Sequence, residues 1–382
     1  MEQFKRLLCL LLSLCLLCGS ALAEITQEDW SITEEELLPD DETLVEEEDD
    51  EDDDISGFII DDETSSELEQ LDEDWETDDS VDPDSLDLNT NLPDNVVNIL
   101  LIGIDSRSKE MEDGYQRGDV QIILSINTDT GDIKLTSVMR DLYVTIPGYK
   151  SKARINTAYT KGGGQLSMRT LNNLLELNIQ YYVTINFYGL ASIIDAIGGI
   201  DIELTKTEAS AINTYLKKHP PAYDNKAKGE RVALEKKAGV QHLDGVQAVM
   251  YARLREIDND FKRTERQRNL LNLLLNQIMQ DMDMEVLLNL VSTTLPYVKT
   301  NVPASTIVSL ATQVMGPLMT KVQNGESLME QMRIPMGDGS DATWKYDTQG
   351  GASVIVFRTV ARRQQNVEAL HEFIYGEYIK SE

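Results

Sequence analysis

Four arginines fall within the seventeen residues 251–267: Arg253, Arg255, Arg263 and Arg266, with Asp258, Asp260 and Gln267 among them. Arg253 and Arg255 are two apart, so on a strand both side chains point to one face. Arg263, Arg266 and Gln267 follow at spacings of three and four, which a helix sets on one side. A strand-to-helix corner of this kind gathers guanidinium groups around one point. Such groups stay charged and match phosphate oxygens in pairs. The stretch reads as half of a phosphate clamp. The alternative is a surface helix whose arginines make ordinary ion pairs with Glu and Asp.

A second set of charges sits at the ends of apolar runs. Asp105, Arg107, Arg117 and Asp119 lie between two of them. Arg140 and Asp141 close a third, and Arg154 and Asn156 precede Ala158, Tyr159 and three glycines, Gly162, Gly163 and Gly164. Carboxylates suit a hard cation and arginines suit an anion. Magnesium is usually held by one or two carboxylates together with the substrate's phosphates. Taken singly, each Asp is a loop or cap residue and each Arg an ion-pair partner. The recurrence of charge at the ends of buried strands is what points to a site. Arg117-Gly118-Asp119 spells a cell-adhesion tripeptide, but a place just before a core strand is wrong for an exposed tip. The three glycines lack the Gly-Lys-Ser/Thr of a phosphate-binding loop and read as a tight turn before a helix.

The elements that must position these residues follow from periodicity. Residues 97–105 form an apolar run ending in Gly, Ile and Asp, a buried strand with an acid at its carboxyl end. Strands are expected at 120–127 and 133–138, joined by the turn Asp129-Thr130-Gly131-Asp132, and at 143–146. Helix 165–177, strand 181–187, helix 188–197 and strand 200–204 follow. An amphipathic helix is expected at 263–281, helical structure at 284–324 broken near Pro296 and Pro303, short strands at 332–335 and 353–358, and a helix at 367–375. The alternation predicts a mixed α/β domain, with one main sheet flanked by helices.

The net charge of −33 is concentrated in one segment. Residues 24–95 carry 33 acidic side chains and no Lys or Arg, and the chain from 96 on sums to −1. A nearly neutral folded part argues against a nucleic-acid binder. The acidic segment has too few apolar residues to offset its ordering entropy, and is expected to be an extended, disordered tether. Residues 1–23 begin with Lys5 and Arg6, continue with an apolar run, and end Ala21-Leu22-Ala23. That is the layout of a signal peptide or an uncleaved membrane anchor; a full span needs about 20 apolar residues. The three cysteines, Cys9, Cys15 and Cys18, all fall in this leader. The rest therefore has no disulfide, thiolate nucleophile or thiolate metal site. The division expected is leader 1–23, acidic linker 24–95 and catalytic domain 96–382.

Several phrases, in order from 98 onward, resemble the LytR-CpsA-Psr family of cell-envelope phosphotransferases. They are Asn98-Ile99-Leu100-Leu101-Ile102-Gly103-Ile104-Asp105-Ser106-Arg107, Arg117-Gly118-Asp119, Ser137-Val138-Met139-Arg140-Asp141, Arg154-Ile155-Asn156-Thr157-Ala158-Tyr159, Asp195-Ala196-Ile197-Gly198-Gly199-Ile200, Leu243-Asp244-Gly245, Tyr251-Ala252-Arg253-Leu254-Arg255 and the run from Asp260 to Gln267. The resemblance implies a mixed α/β domain that takes a glycopolymer, of teichoic-acid or capsule type, from a polyprenyl-pyrophosphate carrier. The polymer passes with one phosphate to a peptidoglycan hydroxyl, assisted by Mg²⁺ or Mn²⁺, at the membrane surface of the cell exterior. It implies Asp105 and Asp119 on the metal side, and Arg117, Arg140, Arg154, Arg253, Arg255, Arg263 and Gln267 around the pyrophosphate. Arg154 stands where the family usually has Lys, Gly118 where Ser is common, Met139 for Pro and Lys262 for Gly. These departures leave the charged groups intact.

Phosphoryl transfer needs positioning and charge neutralisation more than covalent chemistry, which suits this set. Asp260 or Asp119 is the candidate acceptor of the hydroxyl proton. Helices 165–177 and 263–281 are candidate walls of an apolar groove for the lipid, or ordinary core. Two other readings stand beside transfer: a pyrophosphatase cutting the same bond with water, and a non-catalytic surface or regulatory protein with the same fold.

Overall fold

The computed structural model describes residues 77–104, 116–218, 231–254, 266, 269–270, 273–274, 277, 297–324, 326, 329–337 and 343–381. Twelve strands and six helices are bounded within these. They are β1 (Val96–Ile104), β2 (Gly118–Asn127), β3 (Ile133–Val138), β4 (Tyr143–Val144), β5 (Ala153–Arg154), α1 (Thr157–Leu175), β6 (Tyr181–Ile185), α2 (Phe187–Ala196), β7 (Ile200–Leu204), α3 (Lys206–Lys218), β8 (Gly239–Leu243), α4 (Gly245–Arg253), β9 (Val298–Thr300), α5 (Ala304–Gln323), β10 (Met329–Ile334), β11 (Trp344–Gln349), β12 (Ala352–Phe357) and α6 (Val360–Tyr375).

The main sheet has six strands in the order β10-β3-β2-β1-β6-β9. β1 runs antiparallel to β2 and parallel to β6, and β10 runs parallel to β3. The mixed α/β class expected from the alternation is what forms. β1 is apolar along nearly its whole length because both faces of the sheet are covered. Leu101, Leu124 and Val183 face one core, shared with α2, α3, α4 and α5 through Leu190, Ile212, Val249 and Val314. Leu100, Ile102, Ile123 and Tyr182 face the other, shared with α1 and α6 through Leu171, Leu175 and Leu370.

Two expectations change here. Leu270 and Leu274 belong to the first core, whereas Met168, Leu171 and Leu175 of α1 belong to the second. The apolar residues offered as walls of one lipid groove, Leu270 and Leu274 against those of α1, therefore lie on opposite faces of the sheet. Folded structure also reaches further toward the N-terminus than residue 96. Leu86 and Leu92 are buried in the second core. Asp78 accepts a hydrogen bond from the Tyr182 hydroxyl and pairs with Lys299 at 3.6 Å. The acidic composition hid this anchor, because only a few apolar residues carry it.

α1 begins at Thr157, not at 165. Gly162 and Gly163 interrupt it with non-helical backbone, Gly163 at φ +59°, so the glycines kink a helix that has already started. α6 likewise starts at Val360, capped by the Thr359 side chain accepting from the Arg362 amide. β9 falls inside a stretch expected to be helical, and β11 was not expected at all. Each pairs with a neighbour that the local pattern does not reveal. Among the described residues no helix is long and apolar enough to cross a membrane.

Candidate functional site

Charged residues gather where β1 ends and β2 begins. The register makes the place unusual. Gly103 pairs with Val120 and Ile104 with Gly118, so Asp119 is an extra residue opposite no partner. This is a β-bulge, which bends the strand and re-aims a side chain. The Asp119 amide bonds back to the Arg117 carbonyl at 2.9 Å.

Arg140 follows the neighbouring β3 and reaches Asp119 from the side, with Nη1 3.4 Å from Oδ2. Its Nε lies 3.6 Å from Oδ2 of Asp141. Arg154, on β5, brings its Nε to 3.1 Å from the other oxygen of Asp141. That contact is an ion pair by distance, without the alignment of a hydrogen bond, since the buried Nε has no hydrogen-bond acceptor. The Arg154 Nη2 donates to the Ser353 carbonyl on β12 at 2.5 Å. The order is thus Asp119, Arg140, Asp141, Arg154, alternating in sign, with each side chain about 30% exposed. Asp141, in the sequence only an acid at the end of a strand, is the carboxylate that joins the two arginines. The β11–β12 hairpin backs this row, with the Ile355 amide donating to the Asp141 carbonyl at 2.9 Å.

Asn156 lies behind Asp119. Its side-chain amide donates to Asp119 Oδ1 at 2.8 Å. Arg117 stands exposed just before β2, with only its carbonyl tied back, to the Asp119 amide. Three buried side-chain oxygens around this turn lack a partner: those of Gln116, Gln121 and Asn156.

Arg253 is the last residue of α4, a helix and not the strand that the Arg253/Arg255 spacing suggested. The signal was present in Asp244 and Gln247, which form a reciprocal capping box. The Arg253 guanidinium lies 4.2 Å from the centroid of the Phe187 ring. Phe187 starts α2 just beyond β6, whose end pairs with Gly103 of β1. Arg253 therefore stands at the same end of the sheet as Asp119, two strands across.

Arg266 does not join the clamp. Its side chain is only 4% exposed, lies 3.4 Å from Glu208 and donates through Nη2 to the Leu254 carbonyl at 2.8 Å. It ties down the chain just after Arg253. Asp105, Arg255, Asp260, Arg263 and Gln267 lie outside the described residues.

The LytR_cpsA_psr family model matches residues 59–351. The chain belongs to this family. Teichoic acid transferase TagV of Bacillus subtilis is 32% identical over 187 residues, 47% of this chain and 43% of TagV. TagU of Enterococcus faecalis is 32% identical over 212 residues, 55% of this chain and 61% of TagU. The chain thus spans about half the length of the curated relatives it matches. The structure of TagT bound to LIIa-WTA has the same fold: 21% identity, TM-score 0.51, 74% of this chain and 91% of that one. The mixed sheet with helices on both faces is the fold of this LytR_cpsA_psr chain.

Proposed function

We propose that this chain transfers a glycopolymer from a polyprenyl-pyrophosphate carrier to a hydroxyl of peptidoglycan, outside the cytoplasmic membrane. The observation that carries the reading is the Arg140–Asp119 pair at the bulged end of β2. A cation and a carboxylate meet there at the sheet end that also holds Arg253 and leaves Arg117 exposed. Relatives named polyisoprenyl-teichoic acid–peptidoglycan teichoic acid transferases support it, as does the leader at 1–23.

In the reaction, the acceptor hydroxyl oxygen forms a bond to the phosphorus that carries the polymer. The bond from that phosphorus to the bridging oxygen breaks and polyprenyl phosphate leaves. The hydroxyl proton passes to a carboxylate. Both oxygens of Asp119 are engaged, by Asn156 and Arg140. That favours Asp260 as proton acceptor. Arg117, Arg140 and Arg253, with Arg255 and Arg263, would orient the diphosphate and offset its charge as the bond breaks.

The donors near Asp119 fit a hard cation: a carboxylate, with unpartnered amide oxygens of Gln116, Gln121 and Asn156 nearby. Asp119, with Asp105, would hold Mg²⁺ or Mn²⁺. When bound, the ion supplies neutralisation of phosphate charge. Among the described residues no group of three His, Cys, Asp or Glu side chains forms a complete cation site.

The test incubates purified protein with a polyprenyl-pyrophosphate-linked teichoic acid, with or without peptidoglycan, in Mg²⁺ or in EDTA. Polymer bound to peptidoglycan, lost with Asp119→Ala, is expected. Release of free phosphorylated polymer at equal rate without acceptor would make the chain a pyrophosphatase instead.

A further inference from the structure

Asn156 is 2% exposed, yet it touches both strands that carry the ion pair. Its side-chain amide donates to Asp119 Oδ1 at 2.8 Å. Its backbone amide donates to the Arg140 carbonyl at 3.3 Å, and its carbonyl accepts from the Gly118 amide at 3.2 Å. Asn156 Oδ1 itself has no partner. A side chain placed for stability alone would not keep a buried acceptor unpaired, because an apolar residue of the same shape avoids that penalty.

The choice of an amide also has an electrostatic reason. A carboxylate in a bulge has no residue directly opposite it to fix its rotamer. Arg140 already offsets part of its charge, and a second Lys or Arg behind it would orient it but leave it over-neutralised. A neutral N–H donor orients it and leaves the charge in place. Arg140 then sets one oxygen and Asn156 the other.

We propose that Asn156 is a positioning residue: it holds the Asp119 carboxylate in its working orientation and fixes that carboxylate relative to Arg140. The role as positioning residue rests on the transferase reading; the contact does not.

The test uses Asn156→Leu, which keeps the shape and the backbone bonds but removes the donor, and Asn156→Asp, which keeps the shape and presents only acceptors. For each, turnover is expected to fall about 10–100-fold, as for other groups that orient a working ligand. KM for the lipid-linked donor is expected to stay within about threefold, since the loss is in orientation and not in binding. A second arm needs no activity: urea unfolding of Asn156→Leu, Asp119→Ala and the double variant. The two changes should be non-additive, with Asn156→Leu shifting the midpoint less once Asp119 is gone. Additive midpoints, or turnover of Asn156→Leu within about twofold of the parent, would overturn the proposal. If the parent protein transfers nothing but the cycle is non-additive, the transferase reading fails while the Asn156–Asp119 contact stands.

Discussion

Arg140 and Asp119 approach to 3.4 Å although they leave different strands, one at the end of β3 and one in a bulge of β2. Both side chains stay about 30% exposed, so the pair adds little to stability. In the proposed transfer its use lies in geometry, a fixed cation beside a fixed carboxylate. Arg140→Ala should therefore unfold within about 1 kcal/mol of the parent. It should lose about 10²–10³-fold in turnover if the guanidinium offsets charge in the transition state. Arg140→Lys keeps the charge but not the fork that spans Asp119 and Asp141, and should recover only part of the loss. Denaturant midpoints and transfer rates on the same preparations check both halves.

Asp141 holds Arg140 and Arg154 together, at 3.6 and 3.1 Å. Asp141→Asn removes the charge while the backbone bond from Ile355 to the Asp141 carbonyl survives. Both guanidinium groups then lose their common anchor. The expected outcome is a fall in turnover of about tenfold or more, with a stability change below about 1 kcal/mol for a pair this exposed. Deleting the Arg154 guanidinium as well should add little, because the two changes remove one interaction. A double-mutant cycle on turnover decides it.

Much of this site was legible in the sequence and part was not, for physical reasons. The apolar run of β1 and the turn at Gly131 were readable because burial and positive φ leave local marks. The set Arg117, Asp119, Arg140 and Arg154 was readable as charge recurring at strand ends. The bulge at Asp119 was not, since it depends on how β2 registers against β1. Nor was the inward turn of Arg266, whose spacing matches a surface arginine and whose burial comes from Glu208 and the Leu254 carbonyl. Arg253 was placed on a strand because alternate arginines fit both periods over three residues. Asp244 and Gln247 three apart were the better clue to the helix.

His371 gives the fold a pH dependence. It is fully buried, with Nε2 2.9 Å from the Leu175 carbonyl and Nδ1 3.3 Å from the Ile379 amide. The neutral ring with its proton on Nε2 satisfies both. Burial disfavours the imidazolium and holds the pKa below the ordinary 6.5, against the pull of the Leu175 carbonyl and Glu176. The unfolded chain therefore takes up this proton at a higher pH than the folded one. The stability it confers is complete above about pH 6.5 and is lost progressively as the pH falls below that value. His371→Gln keeps a donor and an acceptor without titrating. Thermal midpoints of the parent should fall more steeply below pH 6.5 than those of the variant; parallel curves would contradict this.

Gly245 opens α4 where that helix crosses α2. A Cβ there would lie 1.9 Å from the Ala191 carbonyl oxygen and 2.6 Å from its carbon. Both are backbone atoms, so nothing can rotate away and the helices must separate. The Gly245 amide donates to Asp195 at 2.7 Å, which fixes the crossing further. Overpacking of this kind costs about 1–3 kcal/mol, and backbone contacts belong at the upper end. The same shift would move the far end of a nine-residue helix that finishes at Arg253. Gly245→Ala should thus lower both stability and turnover, and raise KM for the lipid-linked donor as the Arg253 guanidinium leaves the Phe187 ring. Phe187→Leu should raise KM through the same arginine without the backbone clash, since a half-buried cation–π contact contributes about 0.5–2 kcal/mol. A Gly245→Ala protein with the parent's unfolding midpoint would mean that α2 and α4 do not pack this closely.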